Sequence, residues 1–297
     1  MNLAIHGRPF ADSARHAIQS FFDELAQRQY AVQITEPFQE VLRQAGISHP
    51  FAERVFADRK DLFEADFLLS LGGDGTLLES VTYVGERQVP IAGVNFGRLG
   101  FLATIAPGKL QDTLNALQAG QFSFDDRVLV HVDSDKAGDR PDVFEGVNFG
   151  LNDFTISKTQ SSSMIVVHAY LDGKFLNSYW ADGLVISTPT GSTGYCLSVG
   201  GPVVMPHSGN FIVAPMCPHN LNVRPLVIND AGVLSVTVES RSKNFMVALD
   251  TRSRVVDESV RFTVKKEAFV ARLVRMPGDN FLDTLRSKLN WGLDARN

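Results

Sequence analysis

The chain has 297 residues, of which 44% are hydrophobic and 21% are charged, and its formal net charge is −5. Because domains typically have roughly 100 to 200 residues, this length predicts two domains. The composition is that of a globular protein with a substantial core, which excludes a disordered or fibrous chain. The acidic charge balance argues against attachment to nucleic acid, which requires a basic face.

Short apolar runs alternate with helical patterns in the first hundred residues, as in strands joined by crossover helices. The predicted strands are residues 3–5, 32–35, 66–71 and 89–94, and a helix is predicted over 14–28. Two of these strands end in glycine-containing loops and have the continuous apolar character of buried parallel strands. The sequence therefore predicts an α/β domain over residues 1–105.

After a predicted helix at 110–118, the apolar residues mostly alternate with period two, which is typical of antiparallel strands. Asp172 and Gly173 suit a tight hairpin turn between strands at 164–171 and 174–179. Further strands are predicted at 233–239, 245–249, 259–264 and 269–274. We therefore expect a β-rich domain over residues 106–277. A final helix at 281–291, within the segment 278–297, is expected to pack back on the first domain.

Cysteine content and apolar run lengths predict a cytoplasmic location. The two cysteines, Cys196 and Cys217, are too few for a disulfide framework and are not spaced like a metal site, which fits a reducing compartment. Residues 1–7 lack the charged start and long apolar stretch of a signal peptide. No run approaches the roughly 20 apolar residues of a membrane-spanning helix. We therefore expect no membrane partner.

A glycine-rich turn, Gly-Gly-Asp-Gly-Thr at residues 72–76, follows a predicted strand and precedes a helical pattern. Backbone N–H groups at such a junction favour an anion, and glycine lets a phosphate approach closely. Asp74 would repel phosphate unless a cation or a hydroxyl proton lay between them. It could accept the proton of an attacking hydroxyl or help to hold Mg²⁺. Alternatively, Asp74 and Thr76 could simply cap the helix.

A second polar turn follows the apolar strand that begins after Asp182. Residues 187–194 read Ser-Thr-Pro-Thr-Gly-Ser-Thr-Gly. Their hydroxyl groups supply compact donors and acceptors, and their glycines keep the backbone close to whatever lies beside it. We therefore expect this turn to form one side of a binding site for a polar ligand. The alternative is a capped turn before a short helix.

The order of these motifs resembles that in bacterial NAD kinases from about residue 66 to the C-terminus. The resemblance is carried by residues 72–75, 95–101, 152–153, 182–195, 200–202 and 218–226. It implies an NAD kinase-like two-domain architecture. It also implies an enzyme that transfers the γ-phosphoryl group of ATP to the 2′-hydroxyl of the adenosine ribose of NAD. Such an enzyme would use Mg²⁺ or another divalent cation together with ATP. It also implies a homodimer or homotetramer.

The resemblance assigns roles to individual residues. Asp74 would accept the proton of the 2′-hydroxyl, and Gly75 would lie against the ligand. The implied dinucleotide contacts are Asn152, Asp153, Asp182, Thr193, Gly194, Tyr195, Cys196, Leu197 and Ser198. Three positions depart from the pattern of many relatives: Asp153 replaces Glu, Gly194 replaces Ala, and Trp180 stands where some relatives have a basic residue.

Four further residues have open roles in the sequence. Arg98 could neutralise phosphate or support its loop, and His219 could contact a ligand or belong to a structural turn. Asp250 and Arg252 could border the nucleotide, although an exposed hairpin end is the favoured interpretation.

Two other functions would use similar motifs. A lipid kinase would share the glycine turn but would need an apolar acceptor pocket and a means of reaching a membrane, and no basic amphipathic segment is found. A non-catalytic NAD sensor would need the dinucleotide contacts but not Asp74.

Overall fold

The computed structural model describes residues 1–51, 54–96, 100–135, 142–159 and 163–291. The chain forms two compact units: unit 1 comprises Met1–Asp126 together with the chain from Ala271 onward, and unit 2 comprises Arg127–Val270. The predicted α/β and β-rich parts are both present, which confirms the fold class. No helix in the described part of the chain is long and apolar enough to cross a membrane.

The helices and strands are numbered in chain order. They are β1 (Asn2–Gly7), α1 (Arg15–Gln27), β2 (Ala31–Thr35), α2 (Glu36–Gln44), β3 (Val55–Phe56), β4 (Phe67–Gly72), α3 (Asp74–Val84), β5 (Ile91–Asn95), α4 (Leu110–Ala119), β6 (Ser123–Ser134), β7 (Phe149–Gly150), β8 (Asp153–Ser157), β9 (Ile165–Leu171), β10 (Lys174–Ala181), β11 (Gly183–Ser187), α5 (Tyr195–Ser198), β12 (Asn210–Met216), β13 (Leu226–Asn229), β14 (Leu234–Glu239), β15 (Asn244–Leu249), β16 (Arg252–Asp257), β17 (Phe262–Arg275) and α6 (Phe281–Leu289).

The division between the units differs from the predicted boundary at residue 105. Helix α4, which the sequence analysis assigned to the second domain, lies in unit 1 and buries Leu110, Leu114 and Leu117 in that unit's core. The chain passes between the units inside β6 and again inside β17. A change of periodicity marks where strands begin, but it does not show against which core the preceding helix packs.

Unit 1 contains a parallel sheet with strand order β5–β4–β1–β2–β3. The chain proceeds from β1 outward to β2 and β3, and then returns to the other side of β1 for β4 and β5. This reversal creates a topological switch point between β1 and β4, beside which open α/β sheets bind ligands at the carboxyl ends of their strands. The glycines Gly7 and Gly72 end the two strands there.

The core of unit 1 follows from the helical spacing of its apolar residues. Helix α1 buries Ile18, Phe22 and Leu25 on one face, as the three-to-four-residue spacing predicts. Helix α6 also lies in unit 1, where the Phe281 ring contacts Phe101.

Unit 2 contains two antiparallel sheets. One has the order β13–β12–β11–β8–β15–β16, and the other includes β10–β9–β14–β17. Their alternating apolar side chains form a shared core, as in a β-sandwich. The predicted hairpin is confirmed, because Asp172 and Gly173 connect β9 and β10 with φ values of 51° and 74°.

The prediction of separate strands at 259–264 and 269–274 was wrong. A single strand, β17, runs from Phe262 to Arg275. The polar residues between the two apolar runs looked like a turn, but they alternate between exposed and half-buried positions within a continuous strand.

Candidate active site

The glycine turn lies at the switch point of unit 1. Strand β4 ends at Gly72 and helix α3 begins at Asp74, which confirms the predicted order of strand, turn and helix. Gly73 is the residue before the helix, and its N–H group donates to Thr76 Oγ1 at 3.4 Å. The predicted capping role therefore belongs to Thr76, whereas the carboxylate of Asp74 is used elsewhere.

The Asp74 carboxylate binds the segment that follows β5. Its Oδ2 accepts the N–H group of Phe101 at 2.8 Å, and its Oδ1 accepts those of Leu102 and Ala103, each at 3.0 Å. Hydrogen bonds to an ionised acceptor are stronger than neutral ones. The half-buried carboxylate is therefore held in one place by three backbone donors.

Two glycines shape the surroundings of this carboxylate in different ways. A Cβ atom at Gly100 would lie 1.9 Å from Asp74 Oδ1, so the bonded arrangement requires glycine at that position. A Cβ atom at Gly75 would meet no protein atom within 4 Å. The turn is thus open at Gly75, where the family resemblance places a ligand. Arg98 lies outside the described residues.

A second carboxylate, Asp250, organises the Asn152–Asp153 motif in unit 2. Its Oδ2 accepts the N–H group of Leu151 at 2.7 Å, and its Oδ1 accepts those of Asn152 and Asp153 at 2.8 and 3.3 Å. The Asp250 N–H group donates to the Asp153 carbonyl oxygen at 3.0 Å. Burial raises the pKa of Asp250, and the backbone donors oppose that shift.

Arg252 reinforces the same region. Its Nη2 donates to the Phe149 carbonyl oxygen at 2.5 Å, and its Nη1 donates to the carbonyl oxygen of Val147. The interpretation of Asp250 and Arg252 as a hairpin end is confirmed, because Leu249 pairs with Arg252 where β15 turns into β16, but both residues are half-buried rather than exposed. A hairpin signal in the sequence cannot show which neighbouring backbone the turn residues will bind.

Asp153 is a buried carboxyl group, with only 7% of its surface exposed. Burial and the nearby charge of Asp250 raise its pKa to about 7, although the Thr155 hydroxyl, which donates to Oδ1 at 3.0 Å, opposes the shift. At neutral pH the Asp153 carboxyl can therefore both donate and accept hydrogen bonds. Perturbed carboxyl groups of this kind are typical of functional sites, but they also occur in structural networks.

The hydroxyl-rich turn packs directly on the Asn152 backbone. The Thr188 N–H group donates to the Asn152 carbonyl oxygen at 2.9 Å, and Thr188 Oγ1 donates to the Leu151 carbonyl oxygen at 2.6 Å. A Cβ atom at Gly191 would lie 2.2 Å from the Asn152 carbonyl oxygen. At Gly194 it would lie 3.6 Å from Asn152 Nδ2, so the amide of Asn152 is adjacent to this glycine.

The residues from 193 to 198 differ in accessibility. Tyr195 is 47% exposed, Ser198 is also exposed, and Thr193 and Leu197 are half-buried. Cys196 is fully buried, and burial together with the charge of Asp153 raises the pKa of its thiol to about 11. Its side chain therefore packs behind the turn, which leaves its backbone as the group within reach of a ligand.

Asp182 is separated from the other predicted dinucleotide contacts. It precedes β11, whereas Ser187, at the other end of that strand, pairs with Asp153. Five residues of extended chain span about 17 Å. Asp182 Oδ1 instead lies 2.6 Å from Lys158 Nζ.

Three residues that the sequence analysis missed or misread support these motifs. Asp250 holds the backbone of Asn152 and Asp153, Lys158 pairs with Asp182, and the buried Arg127 donates from Nη1 to Thr190 Oγ1 at 3.1 Å. Only Asp250 had been singled out, because it follows a strand. The described ranges contain no group of three His, Cys, Asp or Glu residues that could hold a metal ion.

Comparisons with known proteins agree with this arrangement. The ATP-NAD kinase N-terminal domain matches residues 4–122, and the ATP-NAD kinase C-terminal domain matches residues 151–276. The chain is 46% identical to a NAD kinase of Cytophaga hutchinsonii and 39% identical to one of Flavobacterium psychrophilum, with the whole of both chains covered in each case.

Solved structures show the same fold. A yeast NADH kinase complexed with NADH matches with a TM-score of 0.85 at 23% identity, covering 99% of this chain and 89% of that one. An NAD kinase of Archaeoglobus fulgidus in complex with ATP matches with a TM-score of 0.72 at 24% identity, covering 98% and 99%. With both domain models and full-length relatives matched, the chain belongs to the ATP-NAD kinase family.

Proposed function

We propose that this protein is an NAD kinase that transfers the γ-phosphoryl group of ATP to the 2′-hydroxyl of the adenosine ribose of NAD, forming NADP. The observation that carries the proposal is the Asp74 carboxylate, held at a phosphate-type glycine turn by three backbone N–H groups. The full-length relatives named NAD kinase support the same activity.

Asp74 retains the capacity to bind the nucleophile. A carboxylate oxygen has two lone pairs, and Oδ2 accepts a single N–H group in this arrangement, whereas Oδ1 accepts two. Oδ2 can therefore accept a hydrogen bond from the ribose hydroxyl. Because its three donors fix the carboxylate, Asp74 can orient this hydroxyl for in-line attack with little reorganisation.

The ribose oxygen forms a bond to the γ-phosphorus, the bond from that phosphorus to the β,γ-bridging oxygen breaks, and ADP departs. The hydroxyl proton passes to the Asp74 carboxylate. The amides at the start of α3 and the open face at Gly75 suit the phosphates, because a helix N-terminus favours anions.

Unit 2 supplies the proposed NAD-binding groups. The Asn152 amide and the Asp153 carboxyl offer paired donor and acceptor atoms for ribose hydroxyls, and the backbone from Thr193 to Ser198 provides further contacts. Asp250 and the hydroxyl-rich turn hold that motif in place. We also propose that Asp182 contacts the dinucleotide, with Lys158 orienting its carboxylate.

Mg²⁺ is proposed as part of the ATP substrate. Magnesium sites in such enzymes commonly consist of one or two carboxylates together with substrate phosphates. Because three N–H groups and the ribose hydroxyl would occupy the lone pairs of Asp74, we propose that the substrate phosphates and water supply most of the ligands of the ion. A homodimer or homotetramer and a cytoplasmic location remain predictions.

The activity is tested by incubating the purified protein with NAD, ATP and Mg²⁺. We expect NADP carrying a 2′-phosphate, identified by ³¹P NMR and by its use in an NADP-specific dehydrogenase assay. Lipid phosphorylation in place of NADP formation would identify a lipid kinase, and NAD binding without turnover would identify a sensor. The same assay with polyphosphate as donor, or with NADH as acceptor, defines substrate range.

A further inference from the structure

Four polar side chains form a connected cluster at the carboxyl end of β1, and the proposed function assigns a role to none of them. His6 is buried; its Nδ1 lies 2.8 Å from Thr35 Oγ1, and its Nε2 lies 3.1 Å from Glu79 Oε2. Arg8 donates from Nε to Glu79 Oε2 at 2.7 Å and from Nη2 to Glu79 Oε1. The cluster thus links the ends of β1 and β2 to helix α3.

The cluster lies beside the glycine turn. Gly7 pairs with Leu71, and the Arg8 N–H group donates to the Leu71 carbonyl oxygen at 3.4 Å, so Arg8 flanks Gly72 on the neighbouring strand. Adjacent strands are about 4.8 Å apart. Glu79 lies five residues after the start of α3, or about 7.5 Å along the helix axis. The Arg8 backbone therefore lies beside the glycine turn, and the ion pair with Glu79 holds its guanidinium alongside the first turns of α3.

The contact with Glu79 orients Arg8 without occupying the whole guanidinium group. Two of its five N–H groups, on Nε and Nη2, face Glu79, so Nη1 lies on the edge away from the carboxylate. The side chain is 47% exposed. Burial would raise the pKa of Glu79, but the hydrogen bonds from His6 and Arg8 lower it to about 2. Glu79 is therefore ionised near neutral pH and holds the Arg8 guanidinium in one orientation.

We propose that Arg8 binds a phosphate of the ATP donor beside the glycine turn, and that Glu79 and His6 are positioning residues that hold its guanidinium. The inference rests on the proposed kinase function. A planar, pre-oriented guanidinium suits phosphate better than a mobile point charge, because less side-chain freedom is lost on binding. Phosphoryl transfer depends on such positioning and charge neutralisation.

The test compares the steady-state kinetics of Arg8→Gln, Arg8→Lys and Glu79→Gln with those of the wild-type protein. Arg43→Gln is the matched control, because Arg43 also forms an ion pair with a glutamate in unit 1, at an exposed position on α2. Removing one charge-assisted contact should raise the KM for ATP about tenfold in Arg8→Gln. The KM for NAD should stay within about twofold. Arg8→Lys should recover part of the loss.

Tripolyphosphate, used as an inhibitor competitive with ATP, distinguishes a phosphate contact from a contact with the nucleoside. Its inhibition constant should rise by the same factor as the KM for ATP in Arg8→Gln. Glu79→Gln should raise the KM for ATP by a smaller factor, about threefold, at an unchanged KM for NAD. In the wild-type protein, tripolyphosphate should shift the Nε–Hε NMR signal of Arg8, a measurement that does not depend on the folding of any variant.

Three results would overturn the inference: an unchanged KM for ATP in Arg8→Gln, an equal rise in both KM values, or an Arg8 signal that does not respond to tripolyphosphate. Wild-type turnover separates this inference from the proposed function. If the wild type forms no NADP, the kinase proposal itself fails. If the wild type forms NADP and Arg8→Gln retains its KM for ATP, only the role of Arg8 fails.

Discussion

Replacing Asp153 with Asn should flatten the pH dependence of unit 2 stability. The folded-state pKa of Asp153 is about 7, against an ordinary value of 3.8, so the folded protein retains a proton that the unfolded chain releases. This contribution to stability is complete below about pH 4 and is lost as the pH rises through 7. Between pH 5 and pH 8, the difference between these two pKa values lowers the free energy of unfolding by about 2.5 kcal/mol.

The Asn variant isolates this contribution, because its side chain keeps an acceptor for the Thr155 hydroxyl but does not titrate. The chain has two tryptophans, so a Trp291→Phe background leaves Trp180 as a fluorescence reporter of unit 2. Urea unfolding of the wild-type protein and of Asp153→Asn at pH 5 and pH 8 gives the change in the free energy of unfolding with pH for each. The control is Glu145→Gln, which removes an exposed carboxylate in the same unit. A wild-type pH dependence equal to that of Asp153→Asn would refute the reasoning.

Three further substitutions test the supporting geometry. Asp250→Asn should destabilise unit 2 by at least about 3 kcal/mol, because charge-assisted hydrogen bonds contribute about 1.5 to 3 kcal/mol each. The same variant should lower the pKa of Asp153, measured in a carboxyl NMR titration, because the charge of Asp250 raises that pKa. Gly75→Ala should leave Tm unchanged or slightly higher but raise a substrate KM, since its Cβ atom meets no protein atom. Gly191→Ala should lower Tm and raise the KM for NAD, because its Cβ atom would clash with the Asn152 carbonyl oxygen; an unchanged Tm would contradict that geometry.

Much of the fold could be predicted because its signals are local. Apolar residues at helical spacing located α1, and the glycine turn marked the junction of β4 and α3. The same local patterns failed where packing decides the outcome. The polar middle of β17 resembled a turn, and α4 carried no sign of which unit it would join.

The candidate site was predictable in its motifs but not in its long-range bonds. Asp74 was identified from its place in the glycine turn, yet its partners lie 27 to 29 residues later, at the backbone of Phe101–Ala103. Asp250 follows Asn152 by 98 residues, and the bond between them depends on strand pairing. Backbone donors have no sequence signature, because every residue except proline carries one.

The most direct test of the account is the turnover of Asp74→Asn. The variant preserves the shape of the side chain but removes its charge, and hydrogen exchange at the amides of Phe101, Leu102 and Ala103 reports whether that segment stays bound. General-base catalysis contributes about 10² to 10⁴ in rate, so kcat should fall at least about a hundredfold. A folded Asp74→Asn protein that forms NADP at a rate within a few-fold of wild type would contradict the account.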